Sequence, residues 1–332
     1  MFKPITIFEA IKRYNWPVPG TPVKSVEIML GDKCNARCVF CCSSGGLGGW
    51  VSLEKTKKII RESAQKGVWL ISFSGGEAFL HPEIGEMLEY AKDNGIKMIQ
   101  VVSNGIKLSD FSFAEKMAAC GLNEVKISLH SVNPQKHDKI VGVKGAFFKG
   151  VKAIENLSKL GVKVSCNFAV MRQNYMELPL FAKFMREKGL TGYCFMFSFY
   201  SGKMSVSGDC SVSYSLVIPY LFYALRYIKT GRTPIETRML NNFPPCVLPG
   251  YESIIADWRD FKENSSVSIR NKIRKGREIY AGRKVLLKAC RQCVYGKVCY
   301  GVDRGYLRFF GDREFIPLVK KTESEIGTPL YL

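Results

Sequence analysis

The sequence predicts an α/β fold built on parallel strands, and three observations carry that prediction. From residue 26 to about 200, short apolar or β-branched runs alternate with loops and amphipathic helical stretches. Gly67, Gly95, Gly121, Gly161 and Gly189 each follow a helical stretch and precede a strand-like run, where a C-cap glycine belongs. The chain is 46% hydrophobic and 12% aromatic, enough for a sizeable core and too apolar for a mainly disordered state. Strand–helix alternation implies parallel strands joined by right-handed crossovers. Six such strands make either an open doubly wound sheet or a partial barrel, and in both the chemistry belongs at the C-terminal ends of the strands.

The elements follow in order. Val26–Leu30 is the first strand, and Leu53–Gln65 the helix that Gly67 ends. Trp69–Phe73 and the helix Glu83–Asn94 form the second unit, and Lys97–Val102 with Phe113–Ala119 the third. Glu124–Leu129 leads through a polar loop containing His137 to the helix Phe147–Leu160. Lys163–Val170, the helix Met176–Lys188 and the strand Tyr193–Phe197 complete the series. Beyond it the rhythm fails: Ser201–Ser215 reads as a loop, Leu216–Thr230 as one long apolar helix, and Asn241–Cys246 as irregular. A domain boundary is expected near 200 to 230.

No stretch approaches the ~20 apolar residues of a spanning helix. Val212–Ile228 comes nearest and is broken by Ser213, Ser215, Pro219 and Arg226. The N-terminus lacks the order of a secretory signal, so a cytoplasmic protein without a transmembrane segment is expected. In a reducing compartment the 12 cysteines point to metal or redox chemistry rather than disulfides. The net charge of +20 fits either an anionic partner or a solubilising surface. Its densest stretch, 262–297, includes Lys272, Arg274, Lys275 and Arg277.

The first chemically informative motif is Cys34-Asn-Ala-Arg-Cys38-Val-Phe-Cys41, in the loop after the first strand. Three thiolates at these spacings can wrap one centre and leave a coordination position open. A structural zinc site is normally closed by a fourth ligand, whereas thiolates also suit iron–sulfur clusters. Ser74-Gly-Gly-Glu77 follows the second strand, where two glycines permit a tight turn whose free amides can meet a carboxylate. Ser103-Asn-Gly105 follows the third, and Lys126-Ile-Ser-Leu-His-Ser131 spans the end of the fourth.

These residues, within about 24–200, resemble the radical S-adenosylmethionine (radical SAM) enzymes, whose signature is Cx3Cx2C with an aromatic, here Phe40, before the last cysteine. The resemblance implies a partial (β/α)6 barrel and a catalytic 4Fe-4S cluster on Cys34, Cys38 and Cys41. The open iron would chelate S-adenosylmethionine, and reductive cleavage would give a 5′-deoxyadenosyl radical that abstracts hydrogen from a small-molecule or peptide substrate. It further implies cofactor contacts at Phe40, Gly75, Gly76, Glu77, Ser103, Asn104 and Ser128. Glu77 would accept from the methionine ammonium, and an external donor such as ferredoxin or flavodoxin would supply the electron. Candidate catalytic residues are His130, as acid–base group, and Tyr193, as a hydrogen donor at the last strand.

The second cysteine group is Cys290-x2-Cys293-x5-Cys299. Cx2C is a metal knuckle, and Cys246, in Pro-Pro-Cys, is the best fourth ligand. The set resembles the SPASM or twitch extensions that hold auxiliary iron–sulfur clusters, and implies one auxiliary 4Fe-4S cluster in a smaller C-terminal iron–sulfur domain. The resemblance is partial: where a full SPASM domain continues with another cysteine, this chain has Asp303. A four-cysteine zinc knuckle is the alternative. The expected division is an N-terminal extension at 1–23, a radical SAM core at 24–200, a helical linker at 201–245 and an auxiliary-cluster domain at 246–332. Competing functions are a radical SAM enzyme acting on RNA or a nucleotide through the basic segment, and a non-catalytic iron–sulfur or zinc protein.

Overall fold

A computed structural model of the chain describes residues 24–42, 49–204, 208–230, 237–251, 254–255, 265–269, 272–275, 278, 282–297 and 299–319. The expected N-terminal extension, and Arg270 and Arg277 of the basic segment, lie outside these residues.

The core is a curled parallel sheet. Its strands are β1 (Ser25–Met29), β2 (Leu70–Ser74), β3 (Met98–Ser103), β4 (Glu124–Ser128), β5 (Lys163–Val170), β6 (Gly192–Phe197) and β7 (Thr237–Asn241), and they lie side by side in chain order. Every crossover therefore steps the same way, which places the helices on one face and curls the sheet into a half-barrel. A doubly wound sheet would reverse its order partway, so the partial barrel is the alternative realised.

The helices are α1 (Leu53–Gln65), α2 (Ile84–Asp93), α3 (Phe111–Ala119), α4 (Pro134–Val141), α5 (Ala146–Lys159), α6 (Leu178–Glu187) and α7 (Tyr214–Lys229). All five expected C-cap glycines have positive φ. The core lies between sheet and helices, where Ile28, Phe73, Val101, Ile127 and Phe168 are fully buried. α4 occupies what reads as a polar loop. Asn133 caps it by accepting from the Lys136 N–H, Pro134 opens it, and Gly142 closes it at φ 69°.

The sheet does not stop at residue 200. β7 pairs in parallel with β6, beyond the expected boundary. At the other edge β8 (Ser265–Ile269) pairs in parallel with β1, and β9 (Lys272–Lys275) pairs antiparallel with β8. The segment expected as a linker thus supplies a helix and a strand to the barrel. A short antiparallel pair, β10 (Lys284–Val285) with β11 (Val302–Asp303), and α8 (Arg304–Phe310) flank the second cysteine group. Asp303 caps α8, accepting from the Gly305 N–H at 2.7 Å. Among the described residues no helix is long and apolar enough to cross a membrane.

Candidate active site and second cysteine site

The loop after β1 carries Cys34, Cys38 and Cys41, and backbone groups hold it from three directions. Arg37 N–H donates to Val141 O at 2.8 Å and Val39 N–H to Ile140 O at 3.0 Å, both at the end of α4. Gly76 N–H donates to Gly31 O at 2.8 Å and Glu77 N–H to Lys33 O at 2.9 Å. Lys203 N–H donates to Cys41 O at 3.2 Å, and its ammonium to Cys38 O at 3.3 Å. Phe40 packs against a small apolar cluster that includes Ile140, Val141 and Met171, its ring edge-on to His130 at 4.7 Å.

Burial pushes the Cys38 thiol up to about 12, with Cys34 and Cys41 adding to the rise. Partial burial raises the Cys34 thiol too, and Glu77 and Cys41 contribute. Three thiols on one loop are the donor type an iron–sulfur group takes, and metal coordination would reverse that balance and deprotonate them.

The Ser-Gly-Gly-Glu turn is a brace, which corrects one expectation. Its Gly76 and Glu77 amides are taken by the cysteine loop and are not free for a carboxylate. The approach is close enough to require glycine: a Cβ at Gly76 would lie 2.2 Å from Lys33 O, and one at Gly75 2.4 Å from Gly31 O. Glu77 is 1% exposed. Its Oε1 accepts from Phe79 N–H at 3.2 Å and Ser103 Oγ at 2.8 Å, and its Oε2 from Asn104 N–H at 2.7 Å. Burial raises this carboxyl, and those three donors oppose the rise. A carboxylate offers about four acceptor positions, so one on Oε2 remains. Asn104 Nδ2 donates to Asn35 Oδ1 at 2.7 Å, tying the turn after β3 to the cysteine loop. Ser128 is half-buried at the end of β4.

Both candidate catalytic side chains are buried in the packing. His130 is 2% exposed, and its Nδ1 accepts from Ala169 N–H at 3.1 Å. Burial, with His137 adding, holds its pKa well below the ordinary histidine range, so it is a neutral hydrogen-bonding group behind Phe40. His137, on α4 rather than in a loop, accepts from His130 N–H at 3.1 Å, and burial lowers it to about 4. Tyr193 is the second residue of β6, at the end of the strand away from the cysteine loop, where it packs on Phe195 at 4.8 Å. Strand direction, which periodicity alone does not weigh, sets it at the wrong end of the barrel. Asn35 lies within the motif and Lys203 is 165 residues from Cys38 in sequence, and only the folded chain reveals their contacts.

The second group converges around a cleft lined by Cys246, Cys290, Cys293 and Cys299 with Pro244, Pro245 and Phe315. Cys290 lies in a 3-10 turn that ends at Cys293, and Cys293 N–H donates to Cys290 O at 3.1 Å. Cys299 N–H donates to Tyr295 O at 2.8 Å. Cys246 arrives from a separate turn, Pro245–Val247. Burial pushes its thiol up to about 12, and Cys299, Cys290 and Cys293 add to the rise, which places all four within electrostatic reach.

Comparison with known proteins follows this geometry. The chain is 30% identical over 188 residues to Fe-coproporphyrin III synthase of Methanosarcina barkeri, covering 55% of this chain and 46% of that protein. It is 34% identical over 175 residues to a probable GTP 3',8-cyclase of Methanocaldococcus jannaschii, covering 51% and 57%. The chain thus spans about half the length of the curated relatives it matches. The crystal structure of Streptococcus suis SuiB bound to precursor peptide SuiA superposes with a TM-score of 0.67 at 15% identity, covering 92% of this chain and 77% of that one. At that identity the likeness speaks for the fold alone. Residues 28–185, which contain the cysteine loop, the glycine turn and the β3 and β4 ends, match the Radical SAM superfamily. This segment of the chain is a Radical SAM superfamily domain.

Proposed function

We propose that this protein cleaves S-adenosylmethionine reductively and uses the 5′-deoxyadenosyl radical to abstract hydrogen from a small-molecule or peptide substrate. The observation that carries the reading is the three-cysteine loop, braced on the Gly-Gly-Glu turn at the C-terminal mouth of a parallel half-barrel. Cys34, Cys38 and Cys41 would hold a 4Fe-4S cluster, which when bound supplies the electron for cleavage, with ferredoxin or flavodoxin as its source. Phe40 excludes water on one side of the loop. The open acceptor position on Glu77 Oε2 suits the methionine ammonium, while Phe79, Ser103 and Asn104 donate to that carboxylate, Gly75 and Gly76 hold the turn that presents it, and Ser128 would contact the cosubstrate from the end of β4. Cys246, Cys290, Cys293 and Cys299 would hold an auxiliary 4Fe-4S cluster of the SPASM or twitch kind, and four thiols around one cleft suit that group. SuiB, of the same fold, is seen with a precursor peptide, which favours the peptide branch. A nucleotide substrate is the second reading, favoured by the relatives named for GTP and by exposed Lys272 and Arg274 on β9.

Anaerobic reconstitution, followed by dithionite and S-adenosylmethionine, tests the proposal. The expected product is 5′-deoxyadenosine, absent with Cys38→Ala. A reconstituted protein that forms none is a metal-binding or electron-transfer protein instead.

A further inference from the structure

The concave face of the half-barrel changes character along β4. Val125 and Ile127 are fully buried toward the helices, so strand alternation turns Glu124, Lys126 and Ser128 to the concave side. On β5, Ser165 lies beside Lys126 in register and Asn167 beside Ser128. The lower level is complete in itself. Ser72 Oγ donates to Gln100 Oε1 at 3.1 Å, and Gln100 Nε2 to Glu124 Oε2 at 2.8 Å. Ser165 Oγ donates to Glu124 Oε1 at 2.6 Å. One polar ladder thus crosses four strands and occupies the one carboxylate β4 offers.

Above that floor, toward the cysteine loop, the same face is left open. The Lys126 side chain is half-buried and makes no hydrogen bond or ion pair among the described residues. Asn167 is 6% exposed, and its Oδ1 has no hydrogen-bond partner. Asn241 on β7 carries a second such amide oxygen. Buried polar groups are normally paired, and the ladder below shows that this lumen pairs them where it can. A cation one register pair below an amide, with the local carboxylate already engaged, supplies a charge for an oxyanion, to which the amide's N–H groups can also donate. The amide oxygen adds an acceptor for a neighbouring N–H or O–H.

We propose that Lys126 and Asn167 recognise an oxyanion of the substrate, a carboxylate or a phosphate, in the barrel lumen beneath the cysteine loop. The inference rests on reading the half-barrel as the reaction chamber. Neither residue belongs to the cysteine or glycine motifs, and both lie on strands below them. Ser128 marks the boundary with the cosubstrate side.

The test is calorimetric titration of the full-length protein with glutarate, with inorganic phosphate, and with neutral glutaramide as control. The wild type should bind one of the two oxyanions and not glutaramide. Binding of glutarate names a carboxylate substrate, and binding of phosphate a phosphorylated one. Lys126→Met should weaken that binding by about tenfold or more, as removal of a charge-assisted contact does. Lys126→Arg should stay within about threefold of the wild type because the charge is kept. Asn167→Asp sets a carboxylate beside the lysine and should weaken binding as much as Lys126→Met. Should Lys126→Met fail to fold by circular dichroism, the Arg and Asp variants decide between the same outcomes. The proposal is overturned if neither oxyanion binds, if the variants bind like the wild type, or if the surface change Lys272→Met causes the same loss. The titration needs no turnover, so a protein that binds the oxyanion but never cleaves S-adenosylmethionine overturns the activity alone.

Discussion

The two cysteine groups are built in opposite ways. The first takes all three thiols from eight consecutive residues, and distant backbone holds them in place: α4, the glycine turn and Lys203 all bond to that one loop. The second makes its own local turns at Cys290, Cys293 and Cys299 but borrows Cys246 from far away in sequence. One site has local ligands on a long-range frame. The other has a largely local frame and a long-range ligand. The first should therefore fail when its frame is disturbed even with every thiol intact, while the second should tolerate frame changes and depend on one remote residue.

The largest expected effect tests the ligands directly. Cys38→Ala should abolish 5′-deoxyadenosine formation, while iron analysis still finds the second site loaded. On two four-iron clusters the wild type should hold roughly eight irons per chain, and the triple Ala variant at Cys34, Cys38 and Cys41 about half of that. About one zinc with four irons would make the second site a zinc knuckle.

Gly76→Ala separates frame from ligand. Its Cβ would meet Lys33 and Asp32 backbone atoms at 2.2 to 2.8 Å, so the cysteine loop must move. Cluster content and activity at the first site should collapse, with the second unaffected. Retention of full activity would show that the loop holds its shape without the turn.

Cys246→Ala is the converse. The first site should keep cleaving S-adenosylmethionine, and the second should lose iron or exchange it during gel filtration with a chelator. A full, inert complement would move the fourth ligand to another group.

A smaller effect is expected at Glu77. Glu77→Ala removes the acceptor for Phe79, Ser103 and Asn104. It should weaken S-adenosylmethionine binding by about 1.5–3 kcal/mol, the worth of a charge-assisted hydrogen bond, without emptying the second site. Equal affinity in an anaerobic titration would place the ammonium elsewhere.

The smallest effect is pH-dependent and again divides the two regions. His81, His130 and His137 are the only three histidines and all lie in the barrel. His130 and His137 have lowered pKa values when folded, His137 at about 4. A lowered histidine leaves stability whole above its unfolded value near 6.5, and that stability declines as pH falls toward 4, where the unfolded chain gains protons the native state refuses. Each can contribute a slope of up to about 1.4 kcal/mol per pH unit in that window. Amide exchange at Arg37 and Val39, whose partners close α4, should speed up at pH 5 relative to pH 7, before protection changes around Cys293 and Cys299. Equal acceleration in both regions would uncouple the histidines from the cysteine loop.

Much of this was legible in the residues alone because its causes are local. Strand alternation, amphipathic helices and glycine stops act over a few positions, and they place six strands and their helices within a residue or two. The cysteine spacing is local too. α4 was missed although Asn133, Pro134 and Gly142 are its start and stop signals, because eight polar-rich residues show little periodicity. β7, β8 and β9 were beyond sequence reading for a different reason. Edge strands of four or five residues gain their identity from the strand they pair with, and β8 pairs with β1 across most of the chain. Only the folded sheet determines which acceptor a given amide meets. That is why the glycine turn proves a brace, why Tyr193 falls at the far end of its strand, and why Lys126 and Asn167 face a common lumen above a completed polar floor.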